Sequence, residues 1–354
     1  MRVFIYEYVC GGGLAGRPLP ASLAREGWAM LASIVADFAR VEGCDVVTTL
    51  DSPFADRPLP ALAIVPRPGD EPDLVRRLAA EADWTLVIAP EFDGILFDRV
   101  RWVEEAGGRL LGPSSCGVAA TTDKHRCARL LADAGVPVVA GRVVQVAELD
   151  GTRLPLPPPV VLKPRDGAGS QNTFLIAHSE SASRVLREAM ESGLSGEALL
   201  QPFVPGLAAS VSLLIGSNGP LPFLAGEQLL SADGRFQYLG GRLPLAGDRS
   251  RRAVALAERA AAAVPGLRGF IGVDLVLTAG SPESPVGDSD SPHADVVIEI
   301  NPRLTTSYVG LRELACANLA GRMLRMAEGK VMEPLTWRSG AIGFSADGRI
   351  TYVD

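Results

Sequence analysis

Two short stretches decide the fold: Phe270-Ile271-Gly272-Val273-Asp274-Leu275-Val276-Leu277 and Val296-Val297-Ile298-Glu299-Ile300-Asn301-Pro302-Arg303. Both are rich in β-branched and apolar residues, so both are predicted to be buried strands. Each nevertheless carries an acid where a core strand would hold a hydrophobe. If they pair as antiparallel neighbours, Asp274 and Glu299 share a face and Asn301 lies two residues beyond Glu299. Two carboxylates and an amide side by side repel one another unless a cation sits between them. That donor set suits a hard divalent ion such as Mg²⁺, with Mn²⁺ able to substitute. An exposed edge hairpin would also tolerate such acids. The second strand weighs against it, because Glu299, Asn301 and Arg303 put three polar groups into five residues where a structural strand needs none.

Working outward, 354 residues exceed one small core and suit two or three domains. A net charge of −7 without any basic block argues against nucleic acid as a partner. No apolar run approaches the roughly 20 residues a membrane helix needs. The opening Met1 to Val9 reads as a strand instead of a signal peptide, which predicts a cytoplasmic protein with no membrane partner. The five cysteines are scattered and form no C-x-x-C pair, consistent with a reducing compartment and no structural zinc. His125, His178 and His293 are too few for chemistry built on several imidazoles.

Residues 1–113 alternate strand and helix patterns: strands at 2–9, 45–50, 62–65 and 84–89, helices at 22–41, 71–81 and 96–106. This predicts an N-terminal parallel α/β domain. Gly11-Gly12-Gly13-Leu14-Ala15-Gly16 spells G-x-G-x-x-G after a strand, but Arg17-Pro18-Leu19-Pro20 follows where a dinucleotide-binding helix should have begun. Gly11, Gly12 and Gly13 are read instead as a close-approach loop at the sheet's C-terminal edge, a place for a small-molecule substrate or else a plain turn. Glu91 and Asp93, just past a strand end, could hold the cationic amine of a substrate or face solvent.

Beyond Pro113, Ser114-Ser115 leads into one long helix that carries Lys124 and reaches about Ala134. Val160 to Pro164 is a strand with Lys163 in an apolar run, followed by Arg165-Asp166-Gly167-Ala168-Gly169-Ser170. A glycine-rich loop can turn its N–H groups inward as an anion nest, and a lysine before it neutralises what the nest holds. It is no Walker loop, because the lysine precedes the glycines. A hairpin turn with a snorkelling lysine has the same pattern. Gln201-Pro202-Phe203-Val204 ends an apolar strand at prolines, a form suited to lining an adenine slot or to linking subdomains. Residues 279–295 read as a mobile Pro/Ser/Asp-rich loop without assigned chemistry. Helices are predicted at 250–264 and 309–327, and a hairpin turning at Asp347-Gly348 closes the chain.

Taken in order, T-D-K at 122–124, V-L-K-P-R-D-G-A-G-S at 161–170, Q-P-F-V-P-G at 201–206, G-V-D at 272–274 and E-I-N-P-R at 299–303 resemble the ATP-grasp ligases. The resemblance implies an N-terminal α/β domain (1–113), then an ATP-grasp fold of two α+β subdomains (114–330, with the lid at about 137–203), then a C-terminal β-hairpin (331–354). It implies that Lys124 and Lys163 grip ATP phosphates, and that Asp166, Gly167, Ala168, Gly169 and Ser170 form the loop over them. Gln201, Pro202, Phe203 and Val204 would carry the adenine, and Asp274, Glu299 and Asn301 would hold Mg²⁺. Arg303, with Lys163, would be catalytic, steadying the transferring phosphoryl group. Where many members carry an acid for the ribose, this chain reads Leu207-Ala208-Ala209-Ser210, so ribose contact is expected from elsewhere.

Further features, I-Y-E-Y-V-C-G-G-G at 5–13, A-P-E-F-D-G-I-L at 89–96, S-V-S at 210–212, Y-L-G-G at 238–241 and N-P-R-L-T-T-S-Y at 301–308, resemble the tyramine–L-glutamate ligase group. That group makes the γ-glutamyl amide at the start of methanofuran-type cofactors. The implied partners are a small-molecule carboxylate and amine, with a homodimer as the assembly to test. Two other readings stay open. One is a different ATP-grasp reaction, joining amino acids or carboxylating; the other is an ATP-binding module without turnover.

Overall fold

The computed structural model describes residues 1–167, 169–279 and 294–353. Most of the loop at 279–295, and Ala168, lie outside the described residues. The first layer is built from β1 (Arg2–Glu7), α1 (Ala21–Phe38), β2 (Asp45–Thr49), β3 (Leu62–Ile64), α2 (Glu71–Glu81), β4 (Trp84–Ile88) and α3 (Ile95–Glu105). Its strands run parallel in the order β3-β2-β1-β4. Alternate residues of β1 go to opposite faces. Val3 and Ile5 pack with Leu31, Ile34 and Phe38 of α1, and Phe4 and Tyr6 pack with Val75, Leu78 and Val100 of α2 and α3. Burial on both faces is why β1 and β4 read as unbroken apolar runs.

The expected long helix after Ser114 is two helices, α4 (Ser115–Thr122) and α5 (Lys124–Asp133). The break is at Asp123, whose ψ of 105° leaves the helical region and whose carboxylate accepts the His125 and Arg126 N–H groups at 3.0 Å. An aspartate in that role starts a helix and does not continue one. The next unit holds β5 (Arg142–Gln145), β6 (Val160–Pro164), β7 (Phe174–Ile176), α6 (Ala182–Glu191) and β8 (Glu197–Pro202). Its antiparallel sheet, in the order β5-β8-β6-β7, is covered by the apolar stripe Ala182, Val185, Leu186 and Ala189 of α6.

The last unit contains β9 (Leu207–Gly216), β10 (Gly219–Leu230), β11 (Tyr238–Leu243), α7 (Gly247–Ala263), β12 (Gly269–Leu277), β13 (Val296–Asn301), α8 (Ser307–Leu314), α9 (Leu319–Ala327), β14 (Ala341–Ser345) and β15 (Ile350–Val353). They form a seven-stranded antiparallel sheet in the order β13-β12-β9-β10-β11-β14-β15. The C-terminal hairpin therefore does not stand apart: β14 pairs with β11 and extends the sheet. The single helix expected at 309–327 is interrupted, because Asn318 caps α9 by accepting the Gly321 N–H at 3.1 Å. The whole is an α/β layer followed by two antiparallel α+β units. No helix among the described residues is long and apolar enough to cross a membrane.

A buried carboxylate joins the first layer to the last. Asp37 of α1 accepts both arms of Arg312 at 2.6 and 2.9 Å and the Tyr308 hydroxyl at 2.7 Å, while its carbonyl takes the Asn318 amide at 2.8 Å. Removing one partner of such a pair leaves the other charged and buried. Asp37→Ala is expected to lower unfolding stability by roughly 3 kcal/mol, and Tyr308→Phe by only about 1 kcal/mol, in urea titrations.

Candidate active site

The alternation of β12 sends Ile271, Val273 and Leu275 into the core against α7, so Asp274 faces the other way. On β13 a strict alternation would put Val297 and Glu299 on one face. A bulge prevents this: Asp274 pairs with Glu299 but Leu275 pairs with Val297, leaving Ile298 as the extra residue. Val297 and Ile300 stay in the core, while Glu299 and Asn301 join Asp274 on the wall of a cavity of about 780 Å³. Asn301 donates its amide N–H to Asp274 Oδ2 at 3.0 Å, which leaves its own oxygen free, and Gln228 donates to Asp274 Oδ1 at 2.9 Å.

Two buried carboxyls this close do not both stay ionised. Burial, then the neighbouring Glu299 charge, pushes Asp274 up to about 8. Burial also pushes Glu299 upward, but Lys124 and Lys163 outweigh it and hold Glu299 down at about 2. Among the described residues no group of three or more His, Cys, Asp or Glu converges. The set here is two carboxyls and an amide oxygen with a proton between them, which fits a hard divalent ion that completes its shell with outside oxygens.

Both lysines reach this pair. Lys124 Nζ lies 2.8 Å from Glu299 Oε2 and donates to the Gly167 carbonyl at 3.0 Å. Lys163 is buried on β6 and makes no hydrogen bond or ion pair among the described residues. Burial, reinforced by Lys124 and opposed by Glu299 and Asp274, lowers it to about 8. Arg165 braces the loop start by pairing with Asp123 and Glu197, and its carbonyl accepts the Lys124 N–H at 2.8 Å. The loop itself uses left-handed backbone at Gly169 and Ser170 (φ 65° and 59°). Asp166, Gly167, Gly169 and Ser170 all line the cavity.

At its far end Gln201, Pro202, Phe203 and Val204 form a slot. Gln201 is fixed by donating to the Val139 carbonyl at 2.7 Å, and Phe203 stacks on Phe236 at 6.1 Å. The Phe203 N–H already donates to the Pro159 carbonyl. Ala208 and Ser210 face this cavity while Ala209 faces the core.

The first layer contributes differently from expectation. Glu91 is buried and held by Arg303, Nε to Oε1 at 2.9 Å and Nη2 to Oε2 at 3.2 Å, so it is not free for a substrate amine. Asp93 is exposed and does not line the cavity; its N–H donates to Asp166 at 3.1 Å across the gap to the loop. Gly11, Gly12 and Gly13 do not line the cavity either. Their missing side chains are explained by crowding: a Cβ would fall 2.3 Å from the Glu7 carbonyl, 2.2 Å from Pro66 and 2.1 Å from the Tyr8 ring, respectively.

An ATP-grasp domain model matches residues 121–307, more than half of the chain, and a pre ATP-grasp 3 domain model matches residues 44–118. The chain belongs to the ATP-grasp family. This ATP-grasp ligase is similar to the tyramine–L-glutamate ligase of Methanocaldococcus fervens, 24% identical over 321 residues that cover 88% of this chain and 89% of the relative. It is similar also to that of Methanocaldococcus jannaschii, 23% identical over 320 residues and covering 88% and 84%. A crystal structure of a putative ATP-grasp superfamily protein from Archaeoglobus fulgidus superposes with a TM-score of 0.69 at 24% identity, covering 98% of this chain and 92% of that one. At that identity the superposition speaks for the ATP-grasp fold alone.

Sequence reasoning missed Gln228, Phe236, Tyr238 and Glu26 in this ATP-grasp cavity. Three of them sit on or between β10 and β11, which were not assigned as strands; Asn218-Gly219, a hairpin signal between apolar runs, marked them. Glu7 lies behind the cavity wall, buried beneath α1 where its carboxylate approaches Gly27 and accepts the Cys10 N–H at 2.6 Å. Burial pushes it up to about 7. A carboxyl raised in the folded state adds stability that is complete below the unfolded value of 4.5 and is lost as pH rises through about 7. Glu7→Gln should match the parent chain at acidic pH and exceed it by roughly 3 kcal/mol above neutrality, read from urea midpoints across the range.

Proposed function

We propose that this ATP-grasp ligase joins a carboxylate to an amine through an acyl phosphate, with the γ-carboxylate of L-glutamate and tyramine or a related aromatic amine as substrates. One observation carries the reading: Lys124, Lys163, the Asp274–Glu299 pair and Arg303, from four separate stretches, line a single cavity. The substrates are suggested by the names of the two archaeal relatives.

In this reading the adenine lies in the slot at Gln201 to Val204 against the Phe203–Phe236 pair, and its polar edge meets backbone other than the occupied Phe203 N–H. Lys124 and Lys163 receive phosphate oxygens, for which Lys124 gives up the Gly167 carbonyl. Asp274, Glu299 and Asn301 would hold Mg²⁺ or Mn²⁺, which when bound neutralises phosphate charge. Charge builds on the transferring phosphoryl oxygens, and Arg303 and the lysines stabilise it without reorganising. The 167–170 loop keeps water from the acyl phosphate, which would otherwise hydrolyse.

Phosphate release assayed with ATP, L-glutamate and a panel of amines tests this. A ligase requires both co-substrates; release with neither, or with none of the amines, contradicts the reading. Glu299→Gln should abolish that release in a chain that still folds cooperatively in urea titrations, because Gln fills the same volume but cannot hold a cation against Asp274.

A further inference from the structure

The carboxylates lining the cavity among the described residues are Glu26, Asp166, Glu227, Asp274 and Glu299. Four have partners. Asp166 accepts the Asp93 N–H, Glu227 lies 3.7 Å from Arg242, Asp274 accepts Gln228 and Asn301, and Glu299 pairs with Lys124. Glu26 makes no hydrogen bond or ion pair among the described residues, although it is half-buried in the wall. It shares that wall with Tyr238, Asp274 and Arg303. The groups facing Glu26 are Arg303, Tyr238, Arg25 on its own helix, and Glu7 beneath the adjoining Gly27. Arg303 is compensated by Glu91, so among the described residues Glu26 keeps an unpaired carboxylate for a cation entering from this side.

We propose that Glu26 receives the ammonium group of the amine co-substrate, holds it beside the activated carboxyl group and takes one of its protons. This rests on the ligase reading above. Glu26 accepts one proton from the ammonium ion, and the freed lone pair forms the N–C bond at the acyl carbon. The C–O bond to phosphate breaks, and the second surplus proton on nitrogen leaves with the phosphate. Burial raises Glu26 above the usual carboxylate range, which suits a group that must take up a proton. Tyr238 and the half-exposed Leu239 flank the same wall, so an amine with an aromatic or aliphatic body fits better than ammonia.

The test compares the full chain with Glu26→Gln, using ATP, Mg²⁺ and L-glutamate with either tyramine or hydroxylamine, which is largely unprotonated near neutral pH and needs no base. Glu26→Gln is expected to lose tyramine ligation by roughly 10²-fold at neutral pH yet to keep hydroxamate formation. Raising the pH should recover part of the tyramine rate, Glu26→Asp should fall between, and tyramine affinity measured by calorimetry should drop in Glu26→Gln. Equal losses with both nucleophiles, or no loss with tyramine, would overturn the assignment. A parent chain that forms neither amide nor hydroxamate overturns the ligase reading itself, and this proposal with it.

Discussion

Two lysines and two carboxyls cannot share a buried wall unless their charges are matched, and the ATP-grasp core of this protein is arranged around that constraint. Glu299 stays ionised because Lys124 touches it and Lys163 lies close, while Asp274, with no cation of its own, is protonated near neutral pH. The balance leaves Lys163 without an anionic partner and with its charge disfavoured by burial. An unpaired buried lysine of this kind is prepared for an anion, whose oxygens supply the partner the protein withholds.

The arrangement depends on small local devices. A bulge of one residue at Ile298 lets β13 keep Val297 in the core and still present Glu299 to the cavity. The helix break at Asp123 sets Lys124 at the first turn of α5, and the same aspartate pairs with Arg165, which ties the start of the loop to the start of the helix. Among the described residues the loop beyond makes the Lys124–Gly167 and Asp166–Asp93 contacts, both of which a bound ligand can replace. The charges therefore sit on strands and a capped helix start, and not on the loop.

The first layer is more than a covering. Asp37 fastens it to α8 and α9 through a satisfied buried network, which fixes the position of α1 relative to the seven-stranded sheet. That fixes Glu26, about three turns earlier on the same helix, against the cavity. Glu91 meanwhile reaches Arg303 from the end of β4, so the guanidinium is oriented by a carboxylate from a different layer. Both acids act across a boundary between units of the chain.

Local pattern was enough for the first-layer strands, for β6, β8, β12 and β13, for several helices and for the order of the lysine, glycine and acid motifs, because apolar periodicity and turn residues are properties of neighbouring positions. The apposition of Asp274 and Glu299 was legible too, since hairpin pairing is a short-range geometric rule. The helix breaks at Asp123 and Asn318 could have been read from residues that cap helices. Glu91, Asp93 and Glu26 could not be sorted by sequence, for all three are acids near the ends or faces of first-layer elements. Which of them is paired, exposed or unmatched depends on partners 73 and 212 residues away in the chain for Asp93 and Glu91, and charge matching in such a site is settled only when those partners arrive.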